Sequence, residues 1–159
     1  MIALVTGGAS SGKSAFAERL ALSLPGPHAY VATMRRGGVE AEARVARHVR
    51  AREGKGFLTI ELAEHPDVPL PGVGTLLLED LSNLLLNGLE DALPRLLSCE
   101  NAVIVTNEIG CDGVRYDAFT HEFMERLGAL SCEIAAQADC VVEVVAGIPR
   151  VLKGELAEW

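Results

Sequence analysis

Short apolar runs of strand length alternate along this chain with longer stretches in which apolar residues recur every three or four positions. That alternation predicts βαβ units and a mainly parallel sheet. The runs place strands at about 2–6, 28–33, 57–62, 74–79, 101–106 and 140–146, and the periodic stretches place helices at about 13–24, 39–53, 89–98 and 120–137. Thr75-Leu76-Leu77-Leu78 and Ala102-Val103-Ile104-Val105 do not alternate at all. Central strands covered by helices on both faces have this composition. The expected fold is therefore α/β, with ligands bound beyond the carboxyl ends of the parallel strands. His65 to Gly72 carries three prolines and is expected to be a surface connector. With no internal repeat or compositional break in 159 residues, the expectation is a single domain over 1–159.

Between the first strand and the first helix stands Gly7-Gly8-Ala9-Ser10-Ser11-Gly12-Lys13-Ser14, a match to G-x-x-x-x-G-K-[ST] in the strand–turn–helix context that its chemistry needs. Glycines let backbone N–H groups turn inward around phosphate oxygens, and the helix N-terminus adds the positive end of its dipole. Lys13 is expected to reach the β- and γ-phosphates and the Ser14 hydroxyl to ligate Mg²⁺. The bound species is thus a nucleoside triphosphate. Such a site also needs an acid at the end of a neighbouring strand, and Leu78-Glu79-Asp80 offers two. Because side chains alternate along a strand, one of the pair is expected to face the phosphates; the alternative is that both only begin the next helix. Val105-Thr106-Asn107-Glu108-Ile109-Gly110 ends another apolar strand, as a substrate-contacting segment or as a turn built on Asn107 and Gly110.

Charge narrows the partners. A net charge of −8 opposes binding of nucleic acid over a broad surface. The longest apolar runs are too short for a membrane span and no basic leader precedes Ile2-Ala3-Leu4-Val5, so a cytoplasmic location is expected. Cys99, Cys111, Cys132 and Cys140 have no metal-ligand or redox-pair spacing and are expected to be reduced thiols. One segment runs against the acidic balance. Arg44, His48 and Arg52 follow helical i, i+4, i+8 spacing, with Arg47 and Arg50 beside them. Guanidinium groups this close suit a triphosphate, and a neutral imidazole there can attack phosphorus. The same spacing also fits a solvated basic helix face with one histidine.

Together these blocks resemble the bifunctional adenosylcobinamide kinase / adenosylcobinamide-phosphate guanylyltransferase family of cobalamin biosynthesis. The resemblance runs from Val5-Thr6-Gly7-Gly8 through Tyr30-Val31-Ala32-Thr33, Arg44-x-x-x-His48-x-x-x-Arg52, Leu78-Glu79 with Ser82-Asn83 and Asn87, and Thr106-Asn107-Glu108, to Ala138-Asp139 and Gly147-Ile148-Pro149. It implies a RecA-like P-loop NTPase fold. It also implies two reactions: phosphorylation of the aminopropanol hydroxyl of adenosylcobinamide by ATP or GTP, then transfer of GMP from GTP to that phosphate through a GMP–histidine intermediate. His48 takes the place of that histidine, with Lys13 as the second catalytic residue. Nucleotide contacts carry over to Gly7 through Ser14, Thr33, Met34, Arg35, Val49, Arg50, Ala51, Arg52, Glu61 and Glu79, and Mg²⁺ ligands to Ser14 and Glu79. The implied partners are nucleotide and corrinoid substrates, and the implied assembly is a homotrimer, for which Leu84-Leu85-Leu86 is the expected exposed patch.

Overall fold

A computed structural model describes residues 1–35, 46, 49–50, 53–70, 72–110 and 113–156. The chain runs β1 (Ile2–Thr6), α1 (Lys13–Ser23), β2 (His28–Ala32), β3 (Phe57–Glu61), β4 (Thr75–Glu79), α2 (Leu81–Leu86), a 3₁₀ turn (Glu90–Ala92), α3 (Leu93–Leu97), β5 (Asn101–Val105), α4 (Ala118–Gln137), β6 (Cys140–Val145) and β7 (Ile148–Lys153). The strands form one seven-stranded sheet in the order β3-β2-β4-β5-β1-β6-β7. All neighbouring pairs are parallel except β6 and β7. The α/β fold with a mostly parallel sheet is the one expected.

Alternating side chains on the central strands feed two apolar cores, one on each face of the sheet. Ala3, Val5, Tyr30, Leu77, Val103 and Val105 pack with Phe16, Ala17, Leu20 and Ala21 of α1. Leu4, Ala29, Val31, Leu76, Leu78, Ala102 and Ile104 pack on the opposite face with Leu81, Leu84 and Leu85 of α2, Leu93 and Leu96 of α3, and Leu127 and Ile134 of α4. The triple-leucine patch expected at the surface is corrected here. Leu84 is fully buried and Leu85 nearly so, leaving only Leu86 exposed. Since full burial of a leucine is worth roughly 1.5–3 kcal/mol, α2 turns these two side chains inward.

Other differences have local causes. The helix expected over 89–98 breaks into the 3₁₀ turn and α3, because Pro94 has no N–H to continue an α-helix through that point. α4 starts at Ala118, where the Asp117 carboxylate accepts from Thr120 N at 2.7 Å and caps the first turn. Neither α2 nor β7 was expected. β7 follows β6 through Ala146 and Gly147, both at positive φ (49° and 81°), which makes a two-residue type I′ hairpin turn. Pro149 is tolerated because β7 is an edge strand. Of the helix expected over 39–53, Ala46, Val49 and Arg50 are helical and most of the remainder lies outside the described residues.

Candidate active site

The phosphate-loop sequence folds as its glycines require. Gly12 sits at φ 93° and caps α1 without a side-chain acceptor, and Ser10 also takes a positive φ of 57°. A Cβ at Gly7 would stand 2.5 Å from Val144 O and 2.7 Å from Ser11 Oγ, so that position has room for glycine alone. Behind the loop lies the β6–β7 turn: Gly147 N donates to Ser11 O at 2.8 Å, and a Cβ at Gly12 would meet Gly147 Cα at 3.2 Å. Lys13, in the first turn of α1, is 7% exposed and donates from Nζ to Gly8 O at 3.0 Å. Burial pulls its ammonium below the ordinary lysine value, while the carboxylates of Asp80, Glu79 and Glu108, in that order, push it back up.

These three acids come from two strand ends. Glu79 closes β4 and Glu108 follows β5, the strand between β4 and β1. Across the sheet, Glu61, Ala32, Glu79, Val105, Val5 and Val142 form one row at the carboxyl ends of six strands. Glu61 stands two strands from Glu79, about 10 Å away at the ordinary strand spacing. Glu79 Oε2 accepts from the Tyr30 hydroxyl at 3.3 Å. Alternation along the strand predicts that one acid of the Glu79–Asp80 pair faces the phosphates. Both carboxylates act on Lys13, because β4 ends at Glu79 and Asp80 already belongs to the cap of α2.

Asp80 is the centre of a polar network. Its Oδ1 accepts from Asn83 N at 2.7 Å and Asn83 Nδ2 at 3.0 Å, and its Oδ2 accepts from Asn107 Nδ2 at 3.0 Å. Its backbone N–H donates to Thr33 Oγ1 at 2.9 Å, and Asn87 Nδ2 donates to Thr33 O at 2.8 Å. Thr33 is fully buried and ties the end of β2 to the start of α2. Glu108 is attached to the phosphate loop itself: its N–H donates to Gly7 O at 3.4 Å, and its Oε1 accepts from Thr6 Oγ1 at 3.4 Å. The glycine-rich loop, a buried lysine and three acids thus share the carboxyl end of the central strands.

A family profile described as cobinamide kinase / cobinamide phosphate guanyltransferase matches residues 3–152. The chain belongs to this family. It is accordingly an enzyme of the transferase class, a kinase and nucleotidyltransferase of cobalamin biosynthesis. It is 34% identical to the bifunctional adenosylcobalamin biosynthesis protein CobP of Pseudomonas aeruginosa, over 96% of this chain and 97% of that protein. It is 30% identical to the bifunctional adenosylcobalamin biosynthesis protein CobU of Salmonella typhimurium, over 96% of this chain and all of that one.

Against the family resemblance, Gly7 through Ser14, Thr33, Glu79 and Glu61 lie along the carboxyl edge of the sheet, with Met34 half-buried and Arg35 exposed just beyond β2. Val49 and Arg50 are exposed, and Arg50 Nε donates to Ala46 O at 3.3 Å within its own helix. His48, Ala51 and Arg52, together with Arg44 and Arg47, lie outside the described residues. Sequence reasoning passed over three contributors. Asp80 was the less favoured acid of its pair, Glu108 was noticed without a role, and the Ala146–Gly147 turn was not connected to the loop it backs. The signal for Glu108 was present: it lies just beyond the apolar run Ala102–Val105, after Thr106 and Asn107, at the edge where ligands bind.

Proposed function

We propose that this protein phosphorylates the aminopropanol hydroxyl of adenosylcobinamide with ATP or GTP, and then joins GMP from GTP to that phosphate. The products of the second step are adenosylcobinamide-GDP and pyrophosphate. The observation that carries the proposal is the phosphate loop with its buried, acid-ringed Lys13 in a chain that matches the family over 3–152. Lys13 and the N–H groups of Gly7 to Ser14 hold the phosphates, and binding there replaces the Gly8 carbonyl as partner of the ammonium.

Ser14, at the first turn of α1, and Glu79, among the acids acting on Lys13, would hold Mg²⁺. The fit rests on the donor set: a hydroxyl and a carboxylate suit an ion that takes its other ligands from phosphate and water. When bound, the ion neutralises charge developing on the transferred phosphoryl group.

In the second reaction an imidazole nitrogen of His48 attacks the α-phosphorus of GTP. The N–P bond forms as the bridging P–O bond breaks and pyrophosphate leaves; an oxygen of the acceptor phosphate then attacks the same phosphorus and releases the histidine. Arg44, Arg47 and Arg52 neutralise charge on the five-coordinate phosphorus. The proposal extends to one domain over 1–159, a cytoplasmic location, and a homotrimer for which the exposed Ile148, Val151 and Leu152 of the β7 edge strand supply apolar surface. Incubation with GTP labelled at the α-phosphorus should give an acid-labile, base-stable adduct on the peptide containing His48. A label that persists in His48→Ala would overturn the assignment.

A further inference from the structure

On the sheet face away from α1, a cavity of about 370 Å³ opens between the ends of β1 and β5 and the inner side of α4. Leu4, Ile109 and Leu127 make it apolar, and Thr6 and Glu108 stand at the end that adjoins the phosphate loop. At about 30 Å³ per water-sized group, the space admits about a dozen non-hydrogen atoms. That is enough for a short aliphatic amide arm ending in an alcohol, and far too little for a macrocycle.

We propose that this cavity receives the hydroxyl-bearing arm of the phosphoryl acceptor, and that Glu108 takes the hydroxyl proton in the kinase reaction proposed above. The acceptor oxygen forms a bond to the γ-phosphorus, the bond from that phosphorus to the β–γ bridging oxygen breaks, the nucleoside diphosphate leaves, and the hydroxyl proton passes to the Glu108 carboxylate. Of the three acids around Lys13, Glu108 alone lines the cavity. Asp80 is bound by three N–H donors within the α2 cap network, which hold it as a fixed counter-ion, and Glu79 lies on the α1 face with Tyr30. Glu108 therefore combines reach to the γ-phosphate region with access to an alcohol entering beneath α4.

The test separates binding from chemistry. Gly128 lines the cavity from the middle of α4, and a Cβ added there meets nothing within 4 Å. Gly128→Leu therefore starts its side chain in open space beside the cavity and brings in a stronger helix former, and a Tm equal to or above that of wild type should accompany the loss of binding. Cobinamide binding, measured by equilibrium dialysis, should weaken by about tenfold or more in Gly128→Leu, one order being 1.4 kcal/mol. Cobinamide should also slow alkylation of Cys132, an exposed thiol on the cavity wall, in wild type and not in Gly128→Leu. Glu108→Gln should lower the kinase kcat by about a hundredfold or more, with cobinamide affinity changed by less than about threefold, and Glu108→Asp should restore part of the rate. Unchanged cobinamide affinity in Gly128→Leu, or no cobinamide binding by wild type, overturns the cavity assignment. A kcat within about threefold of wild type in Glu108→Gln, or a matching loss of ATP binding, overturns the role of Glu108. Failure of the parent function reads differently: wild type would bind cobinamide and neither phosphorylate it nor take label from GTP.

Discussion

Replacing Asp80 by alanine separates the structural work of this carboxylate from its charge. The substitution removes the acceptor that caps α2 at Asn83 N, worth about 1 kcal/mol, and the half-buried charge-assisted bonds to the amides of Asn83 and Asn107. Asn107 keeps Ser82 Oγ at 3.0 Å, so only part of the second term is lost, about 1–2 kcal/mol. The total, about 2–3 kcal/mol, lowers Tm by about 5–10 °C for a chain of this size. Asp80→Asn provides the control. Asparagine caps helices as well as aspartate does, so the bond from Asn83 N survives, while the amide that replaces Oδ2 confronts the amide of Asn107. That variant should lose about 1 kcal/mol. Both changes remove the acid that acts most strongly on Lys13, and both should weaken triphosphate-dependent activity alike. Thermal unfolding by circular dichroism, with urea titration of each variant, reads the stability difference. Equal Tm values for the two variants would refute the cap argument, and an unchanged Tm in Asp80→Ala would refute the network altogether.

Two further outcomes follow from local geometry. Gly7→Ala forces a Cβ against Val144 O at a φ of 152°, and should cost on the order of 2–3 kcal/mol and most of the nucleotide affinity, whereas Gly8→Ala, whose Cβ meets nothing within 4 Å, should cost far less; urea unfolding and nucleotide titration compare them, and equal losses would count against the packing of the loop on β6. Among the described cysteines, iodoacetamide near pH 8 should modify exposed Cys132 well before Cys99 and Cys140, whose thiols burial pushes above the ordinary value, with the Asp139 carboxylate adding to the rise at Cys140; peptide mapping over time gives the order, and early labelling of Cys140 would contradict its burial.

The sequence was most legible where local chemistry and tertiary position agree. Strand, glycine-rich turn and helix succeed one another at Ile2–Ser23 for reasons contained in that stretch, and the non-alternating runs at Thr75–Leu78 and Ala102–Val105 announce burial on both faces. Legibility failed where partners are distant or elements short. α2 has six residues, too few for periodicity to register, and its inward leucines read as a surface patch because nothing nearby in sequence covers them. β7 is exposed along its whole length and contains Pro149, so neither alternation nor composition marks it as a strand. Glu108 and Asp80 gained their meaning from strand order, since β5 lies between the β4 acids and the loop after β1. Periodicity carries no information about that order.

The turn that backs the phosphate loop bears on how this protein is made. Gly7 to Ser14 leave the ribosome long before Gly147, which donates to Ser11, and Val144, which abuts Gly7, and long before the β5 and β6 partners of β1. Pairings this remote in sequence close late in folding. A nucleotide therefore has no finished cradle to stabilise until the β6–β7 hairpin has been translated and set in place, and its contribution to folding begins only then.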